Sequence, residues 1–268
     1  MATAQPEVGS LLRQWRARRR VTQLDLALDA GVSARHLSFV ETGRSQPGRE
    51  LLLQVLEQLE VPFREQNRLL LAAGHAPAFP ERSLEDDPDL APVRDALDVV
   101  LSGHEPYPAV AVDRAWNMVA ANSAMLALTA SVEIDPALLE PPINVMRVGL
   151  HPRGLGPLFV NLGDWHAHWL RRLERQLAAT GDEQLAALID EVAGYPVPEP
   201  EHDVASELVG SEMLGPVKVR APGGGELSFF GMFASFDTPF EVTSSELAIE
   251  LLFPADRATA EALGARSQ

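Results

Sequence analysis

The sequence predicts a two-part fold class: an all-α N-terminal domain of five helices, then an α+β domain with an antiparallel sheet flanked by helices. Three observations support this. The chain has 268 residues, enough for two compact domains, and apolar residues recur at helical spacing through residues 9–73. Beyond a stretch rich in proline and acidic residues, 75–92, strand-like segments follow. We place the domains at 1–80 and 93–268 and the linker at 81–92.

Capping and turn residues divide the N-terminal domain into its helices. Thr22 and Ser33 are good N-caps, because a side-chain oxygen can accept a hydrogen bond from the free amides of a first helical turn. Gly31 ends the second helix. The first helix centres on Leu11, Leu12 and Trp15, and the others are predicted at Gln23–Asp29, Ser33–Glu41, Arg49–Glu60 and Pro62–Ala73.

Turn signals and strand-like composition outline the sheet of the C-terminal domain. The glycine-rich segment Pro222–Gly225 predicts a turn that joins two neighbouring strands. The other predicted elements are a hairpin formed by Tyr107–Asp113 and Ala115–Ala121, helices at Trp165–Thr180 and Asp182–Val192, and strands at Pro216–Arg220, Glu226–Ser235 and Leu247–Phe253.

The two halves of the chain differ in charge. A net charge of −16 disfavours nucleic acid as a partner if it is taken as a whole. Residues 1–80, however, carry ten arginines and eight acidic residues (+2), whereas residues 81–268 carry twelve basic and thirty acidic residues (−18). Five arginines cluster between Arg13 and Arg20. This local basic face can bind phosphate, while the acidic part should lie away from a duplex or serve another partner.

Composition excludes several classes of protein and site. The chain has no cysteine, which rules out disulfides, thiolate zinc sites and cysteine catalysis. No run of about 18 apolar residues is present, so we expect no transmembrane helix and no membrane partner. The polar N-terminus, Met1–Ser10, lacks the apolar core of a secretory signal. We therefore expect a cytoplasmic protein.

The second and third helices have the pattern of a DNA reader. Two short helices joined by a glycine-containing turn form the geometry that places the second helix in the major groove. Apolar side chains form the small core that fixes the helix crossing, and other residues remain on the outer side. The core residues are Leu24, Ala27, Val32, Leu37 and Val40, and the outer residues are Ala34, Arg35, Ser38 and Phe39.

Four side chains have the chemistry for contacts with DNA. Arg35 can donate two hydrogen bonds to guanine, and Phe39 can meet a thymine methyl group. Gln23 lies at the positive end of its helix, where a backbone phosphate is favoured, and Arg44 can hold a second phosphate. A helical bundle with surface arginines would show the same periodicity, so periodicity alone leaves both interpretations open.

A family resemblance favours the DNA reader. The segments Thr22–Ala27, Ala30–Ser33, His36–Ser38, Glu41–Arg44 and Pro47 resemble the helix-turn-helix of the xenobiotic-response-element family, the phage-repressor type. The resemblance implies that Gln23, Ala34, Arg35 and Phe39 face DNA and that Arg44 faces phosphate. His36 lies beside them, and packing is an equal alternative for it.

Further segments are similar to one subfamily, the MmyB-like regulators. That similarity implies a C-terminal domain with a PAS-like fold that binds a small ligand. The chain departs from the subfamily pattern at Gly48, where a serine is usual. Glycine is itself tolerated as a helix N-cap. The similar segments are Arg35–Ser38, Glu41–Arg44, Arg64–Asn67, Leu71–Pro77, Asn144–Arg147, Leu150–Pro152, Asn161, Trp165, Tyr195–Pro196, Thr238–Pro239 and Pro254–Asp256.

Large apolar side chains concentrate in the C-terminal domain, and for most of them a place in the core is the simpler interpretation. Phe229 and Phe230, however, must lie on opposite faces of a strand, so one face needs a cover. A pocket requires apolar walls and a few polar groups, and an arginine can hold a carboxylate bidentately. The subfamily resemblance implies an acyl-type ligand, for which a fatty acid is the first expectation. The predicted ligand-binding residues are Trp116, Met146, Phe159, Trp165 and Phe230, with Asn144, Arg147, Asn161 and Arg153 as polar groups.

No catalytic constellation is recognisable, and we expect neither an enzyme nor a cofactor or metal. His166 and His168 point to different sides of a helix, and Asp164 with His168 is better explained as a solvated polar face. His151 is an isolated loop histidine. We expect a homodimer that binds a roughly palindromic operator. An alternative is a C-terminal domain used only for dimerisation or protein docking.

Overall fold

The computed structural model describes residues 8–200, 216–221, 224–237 and 239–264. Two compact units can be separated. The first comprises Met1–Arg82, Ala178–Thr180 and Pro239–Ser245, and the second comprises Ser83–Leu177, Gly181–Thr238 and Glu246–Gln268. The domain limits 1–80 and 93–268 stay predictions, and within the proposed linker Leu90 is fully buried in the second unit.

Five helices form the first unit around one apolar core, together with the short helix α11 (Val242–Ser245). Leu12, Leu37 and Leu56 are fully buried there. The backbone amide of Val242 donates to the carbonyl of Pro80 (2.9 Å), which ties α11 to the end of the helical segment. The five helices are α1 (Val8–Arg18), α2 (Gln23–Asp29), α3 (Ala34–Glu41), α4 (Arg49–Gln58) and α5 (Phe63–Ala72).

A five-stranded antiparallel sheet is the centre of the second unit, with the strand order β2-β1-β5-β4-β3. The central strand, β5, pairs with β1 on one side and with β4 on the other. Alternate residues of β5 point to opposite faces, so Ile249 packs on the core of one face and Leu252 on that of the other. The strands are β1 (Ala109–Val112), β2 (Met118–Ala121), β3 (Val217–Arg220), β4 (Glu226–Ala234) and β5 (Ala248–Pro254).

Helices cover both faces of this sheet. Leu97 and Leu101 of α6 pack with Ala109 and Ile249 on one face. On the other face, Trp169 and Leu173 of α9 pack with Val110 of β1. The helices of the second unit are α6 (Ala91–Gly103), α7 (Ser123–Thr129), α8 (Val145–Leu150), α9 (Leu162–Thr180), α10 (Glu183–Ala193) and α12 (Arg257–Ala262).

The predicted fold class is confirmed: an all-α five-helix part precedes an antiparallel sheet flanked by helices. The prediction for Leu24 is wrong, because its side chain is 62% exposed instead of packing in the core of the helix pair. Helices α6, α7, α8, α11 and α12 were not predicted. The turn at Pro222–Gly225 lies partly outside the described residues, as does Thr238. Within the described ranges, no helix is long and apolar enough to cross a membrane.

Candidate functional site

Side-chain caps set the beginnings of α2 and α3. The Thr22 hydroxyl accepts a hydrogen bond from the backbone amide of Asp25 (3.2 Å), and the Ser33 hydroxyl accepts one from His36 (3.1 Å). Between the helices Gly31 has φ +63°, a left-handed conformation that costs glycine little. The turn closes with a hydrogen bond from the Val32 amide to the Ala27 carbonyl (2.8 Å). These bonds fix where α3 begins and how it leaves α2.

One buried carboxylate, Glu41 at the end of α3, joins three helices. Arg16 of α1 donates from Nε to Glu41 Oε1 (2.6 Å) and from Nη2 to Oε2 (2.9 Å). Gln23 of α2 adds a third bond, from Nε2 to Oε2 (3.0 Å). The Glu41 side chain is 3% exposed, so the paired geometry stabilises a charge that burial alone would oppose. The same hydrogen bonds raise the pKa of Arg16.

The outer side of α3 presents Arg35 and Phe39 together. The Arg35 guanidinium is exposed and lies 5.4 Å from the centre of the Phe39 ring, in a cation–π contact that orders both side chains. Arg44 is exposed just beyond α3, and Ser38 and His36 are half-buried beside them. Ala34 packs partly against the core. Thus Arg35 and Arg44 are exposed, and Phe39 is half-buried next to the Arg35 guanidinium.

The arginine cluster of α1 splits into two groups. Arg16 is held by Glu41, and Arg19 donates to the carbonyls of Leu59 (2.8 Å) and Glu60 (2.7 Å) at the end of α4. Arg13, Arg18 and Arg20 are exposed. The sequence showed five arginines as one basic face, whereas two of them stabilise the fold.

A cavity of about 250 Å³ lies in the second unit, on the face of the sheet opposite α6. Its walls come from the sheet, α7, α8, α9 and the segment between α7 and α8. The lining residues are apolar apart from Thr129 and Glu250. They are Val110, Met118, Met125, Leu126, Leu128, Thr129, Ile134, Leu139, Ile143, Val145, Met146, Val148, Gly149, Leu150, Leu155, Phe159, Trp165, Trp169, Val217, Val219, Phe229, Glu250 and Leu252.

The carboxyl group of Glu250 lines this cavity from β5. It lies between two apolar cross-strand neighbours, Val110 of β1 and Phe233 of β4. The residue is 8% exposed, and no hydrogen bond or ion pair joins its side chain to another residue of the described chain. Burial raises the pKa of Glu250 to about 7, against a smaller opposing effect of Arg172.

Arg172 of α9 lies near Glu250 but has packed on aromatic rings instead. Its guanidinium carbon is 3.6 Å from the centre of the Phe233 ring, and its Nε is buried without a hydrogen-bond partner. Burial lowers the pKa of Arg172. Arg172 does not line the apolar cavity; it lines a second, polar one of about 360 Å³ beside Trp116. It therefore attracts Glu250 without pairing with it.

Three of the predicted ligand-binding residues line the apolar cavity: Met146, Phe159 and Trp165. Trp116 lies behind the wall, where its ring meets Trp169 edge to face at 4.9 Å and its Nε1 donates to Gln176 (2.9 Å). Met146, Phe159 and Trp165 thus surround one cavity, whereas Trp116 packs behind the cavity wall.

The polar residues predicted for the pocket are not among its lining residues. Asn144 caps α8, accepting from the amides of Met146 (3.1 Å) and Arg147 (3.2 Å). Arg147 pairs with Glu191 on the surface (2.8 Å), which lowers the pKa of that carboxyl. Asn161 donates to the carbonyl of Pro216 (3.1 Å).

Two more predicted residues lie elsewhere in the second unit. Arg153 pairs with Asp135 (2.6 Å). Phe230 faces away from Phe229, is 40% exposed, and stacks on Phe253 at 5.4 Å. For these residues, ligand binding stays a prediction that their position in the fold does not support.

The histidines of α9 have structural contacts. His166 is buried, with Nε2 2.9 Å from the carbonyl oxygen of Val192, and His168 stacks on Trp165 at 5.3 Å. Burial, with the nearby arginines of α9, lowers the pKa of His168 to about 4. In the described part of the chain, no group of three or more histidine, aspartate or glutamate side chains is placed to hold a metal ion.

Sequence reasoning missed Glu250. Its signal is an acidic residue inside the apolar run Leu247–Phe253, at a position that alternation assigns to the same face as Ala248 and Leu252. A buried acid in the central strand of a sheet indicates either an ion pair or a binding site, and the structure shows no ion pair between Glu250 and any described residue.

Two family descriptions match the chain. Residues 93–265 match the "MmyB-like transcription regulator ligand binding domain", which covers more than half of the chain. The chain belongs to the MmyB-like transcription regulators. Residues 12–66 match "Helix-turn-helix", so α2 and α3 form the DNA-binding motif of such a regulator, and the second unit contains its ligand-binding domain.

A curated relative is the "Uncharacterized HTH-type transcriptional regulator RghRB" of Bacillus subtilis (strain 168), 36% identical over 78 residues. The match covers 29% of this chain and 54% of the relative, so the chain spans about half the length of the curated relative. A solved structure described as "Structure of an RNA-binding Light-Oxygen-Voltage Receptor" matches 96% of this chain and 62% of that chain, at 12% identity and a TM-score of 0.28. A likeness of that size carries no argument about function.

Proposed function

We propose that this MmyB-like regulator binds a specific operator as a homodimer, and that an apolar ligand of the fatty-acid type occupies the cavity of its second unit. The observation that carries the proposal is the cavity itself, about 250 Å³ with almost entirely apolar walls. This volume is slightly below the usual range for ligand pockets, about 300–1,000 Å³, and so suits a small or slender ligand. A long, slender apolar chain matches such walls better than a polar metabolite.

The DNA-binding half of the proposal is supported by Arg35 and Phe39, which lie together on the outer side of α3. Arg35 has free guanidinium donors for a guanine edge, and Phe39 beside it provides an apolar contact for a thymine methyl. Arg44 suits a backbone phosphate, which contributes affinity without sequence preference. A dimer would place two such helices one helical turn apart, about 34–36 Å, on a palindromic site.

Ligand control requires that the two states of the protein bind the ligand differently. We propose that occupancy of the cavity changes the geometry of the two DNA-binding motifs in the dimer and thereby the affinity for the operator. By linkage, operator DNA must change the affinity for ligand by the same factor.

An alternative for the second unit is protein docking or dimerisation without a ligand. The exposed apolar residues Phe230 (40%) and Met232 (52%) on β4 favour it, since they form an apolar surface next to Phe253. That surface and the cavity lie on different faces of the sheet, so the two functions do not exclude each other.

Native and denaturing mass spectrometry of freshly purified protein tests the ligand proposal. We expect a dimer mass in excess of twice the chain mass, with the excess lost on denaturation and identified as an apolar compound. The variant Val148→Phe replaces a small side chain of the cavity wall with a bulky ring. The control Val99→Phe makes the same change at an exposed site. Loss of the excess mass in Val148→Phe alone supports the proposal; retention in both variants contradicts it.

Selection of binding sites from random duplex DNA tests the operator proposal. We expect a palindromic motif with half-sites one helical turn apart, bound by a dimer in sedimentation analysis. Enrichment of no motif, or binding of a monomer to single half-sites with full affinity, would contradict the proposal.

A further inference from the structure

The Glu250 carboxyl faces an apolar cavity, and no residue of the described chain forms a hydrogen bond or ion pair with it. Buried polar side chains almost always have a hydrogen-bond partner, and an exception calls for an explanation such as a bound molecule. Both cross-strand neighbours of Glu250, Val110 and Phe233, have hydrocarbon side chains. The nearest cation, Arg172, is packed on the Phe233 ring and lines a different cavity. The fold therefore does not use this carboxyl group for its own stability.

The position of Glu250 within the cavity is the second observation. Its neighbours among the lining residues are Leu252, two residues along the same strand, and Val110 on β1. A molecule that fills the cavity must contact this carboxyl group. An all-hydrocarbon ligand would leave it desolvated and unpaired, which costs several kcal/mol. Once Glu250 is ionised, as it is at pH 8, a carboxylate head group against it would place two like charges in a low-dielectric space.

We propose that the ligand carries a hydrogen-bond-donating head group, a hydroxyl or an amine on an apolar chain, and that Glu250 accepts its hydrogen bond. This rests on the proposed ligand-binding function: it keeps the long apolar chain proposed there and replaces the carboxylate head of a fatty acid with a hydrogen-bond donor. The walls contribute affinity for the chain, and Glu250 determines which head group is bound. A neutral hydroxyl and a cationic amine share this chemistry.

Titration of the full-length protein, stripped of bound lipid, with four decyl probes tests this. The probes are 1-decanol, decylamine, decanoate and methyl decanoate, and the signal is the fluorescence of Trp165 and Trp169, which line the cavity. At pH 8 we expect the alcohol and the amine to bind at least about tenfold more tightly than decanoate and the ester, as a hydrogen bond to a charged group allows.

Two variants separate the roles of charge and acceptor. Glu250→Gln keeps a hydrogen-bond acceptor but removes the charge. The affinity for decylamine should therefore fall about tenfold or more, and the affinity for decanol should fall less. Glu250→Leu removes the acceptor, so the protein should bind decanol and decylamine more weakly but methyl decanoate as well as before. Glu226→Gln, on the exposed start of β4, is the matched control and should change nothing. Circular dichroism of each variant verifies that it folds.

The outcomes distinguish this inference from the function on which it rests. Decanoate binding as tightly as decanol, or affinities that are unchanged in both Glu250 variants, would overturn the head-group assignment while leaving the cavity as a ligand site. Failure of all four probes to bind the wild-type protein would overturn the proposed ligand function itself.

Discussion

Glu41 of the first unit and Glu250 of the second unit are buried glutamates with opposite surroundings. Glu41 receives three hydrogen bonds from Arg16 and Gln23, whereas Glu250 receives none from the described chain and faces a cavity. Both are almost fully removed from solvent. The partners of a buried charged group indicate its role. Glu41 has protein partners and stabilises the fold, whereas Glu250 has none among the described residues, and we propose a ligand as its partner. The predictions below test this contrast.

The largest effect is expected for Glu41→Ala. The substitution leaves Arg16 and Gln23 without their acceptor and disconnects α3 from α1 and α2. Removing one partner of a buried pair typically costs about 3–5 kcal/mol, and because Arg16 is partly exposed we expect about 3 kcal/mol. Urea denaturation followed by circular dichroism measures the change.

Glu57→Ala, at an exposed position of α4, is the control for that substitution and should change stability by less than about 0.5 kcal/mol. An equally small change in Glu41→Ala would show that the three-helix link does not support the fold. Hydrogen exchange should assign the loss to the amides of α1–α3.

For Glu250 we expect the reverse of Glu41: the ionised Glu250 carboxyl destabilises the folded protein, so stability falls as the pH rises. The pKa in the folded protein, about 7, lies above the ordinary value of 4.5, so the folded state binds the proton more tightly than the unfolded state. Its contribution to stability is fully present below about pH 4.5 and is lost as the pH rises through 7. Between pH 5 and pH 8 the loss is on the order of 2–3 kcal/mol. Glu250→Gln should remove it, as measured by urea denaturation at both pH values.

A second titrating group must be separated from this effect. The lowered pKa of His168, about 4, makes the protein lose stability as the pH falls below 6.5, because the unfolded chain takes up a proton first. The His168 effect is the same in the wild type and in Glu250→Gln. The difference between their stabilities at each pH therefore reports on Glu250 alone. An identical pH dependence in both proteins would mean that the carboxyl is solvated or paired.

The outer face of α3 should give smaller effects, on DNA affinity and not on stability. Arg35→Ala should cost about 1–3 kcal/mol with the selected operator and relax the preference at one base pair. Arg44→Ala should weaken binding to all sequences and reduce the salt slope by about one. Arg68→Ala, at an exposed arginine of α5 outside both α3 and the basic cluster of α1, is the control in fluorescence anisotropy. Equal base preferences in Arg35→Ala and the wild type would contradict the proposed docking.

The smallest effect is expected at Gly48. This residue caps α4 without a side-chain hydrogen bond, and its φ of −67° and ψ of 155° suit a serine. A side chain there meets open space. Gly48→Ser should therefore stabilise the first unit by a few tenths of a kcal/mol and leave the second unchanged. Thermal unfolding measures it, and a destabilisation would show that the glycine has another role.

Local signals in the sequence were sufficient for most of the fold. Thr22 and Ser33 cap the helices that follow them because capping involves residues only three positions apart. The strands around Pro216–Arg220 and Leu247–Phe253 were also evident, since alternation and turn residues are local. Leu24 was misplaced because the period of a seven-residue helix constrains its face too weakly.

The candidate site depended on contacts between distant parts of the chain. Asn144, Arg147 and Asn161 have the chemistry of a polar pocket, but their partners, such as Glu191 and the Pro216 carbonyl, lie far along the sequence and hold them elsewhere. Met146, Phe159 and Trp165 were found because large apolar side chains suit either a core or a cavity wall. Whether a space remains between them is decided by packing, which no sequence pattern expresses.

The bond between Gln23 and Glu41 has a consequence for changing the DNA specificity of this protein. Gln23, which is predicted to contact DNA, cannot be exchanged freely, because each new side chain at position 23 must still satisfy the carboxylate of Glu41. Substitutions at Gln23 and Glu41 should therefore be non-additive. Redesign of the reader has its freest positions at Arg35 and Phe39, which the rest of the unit does not need.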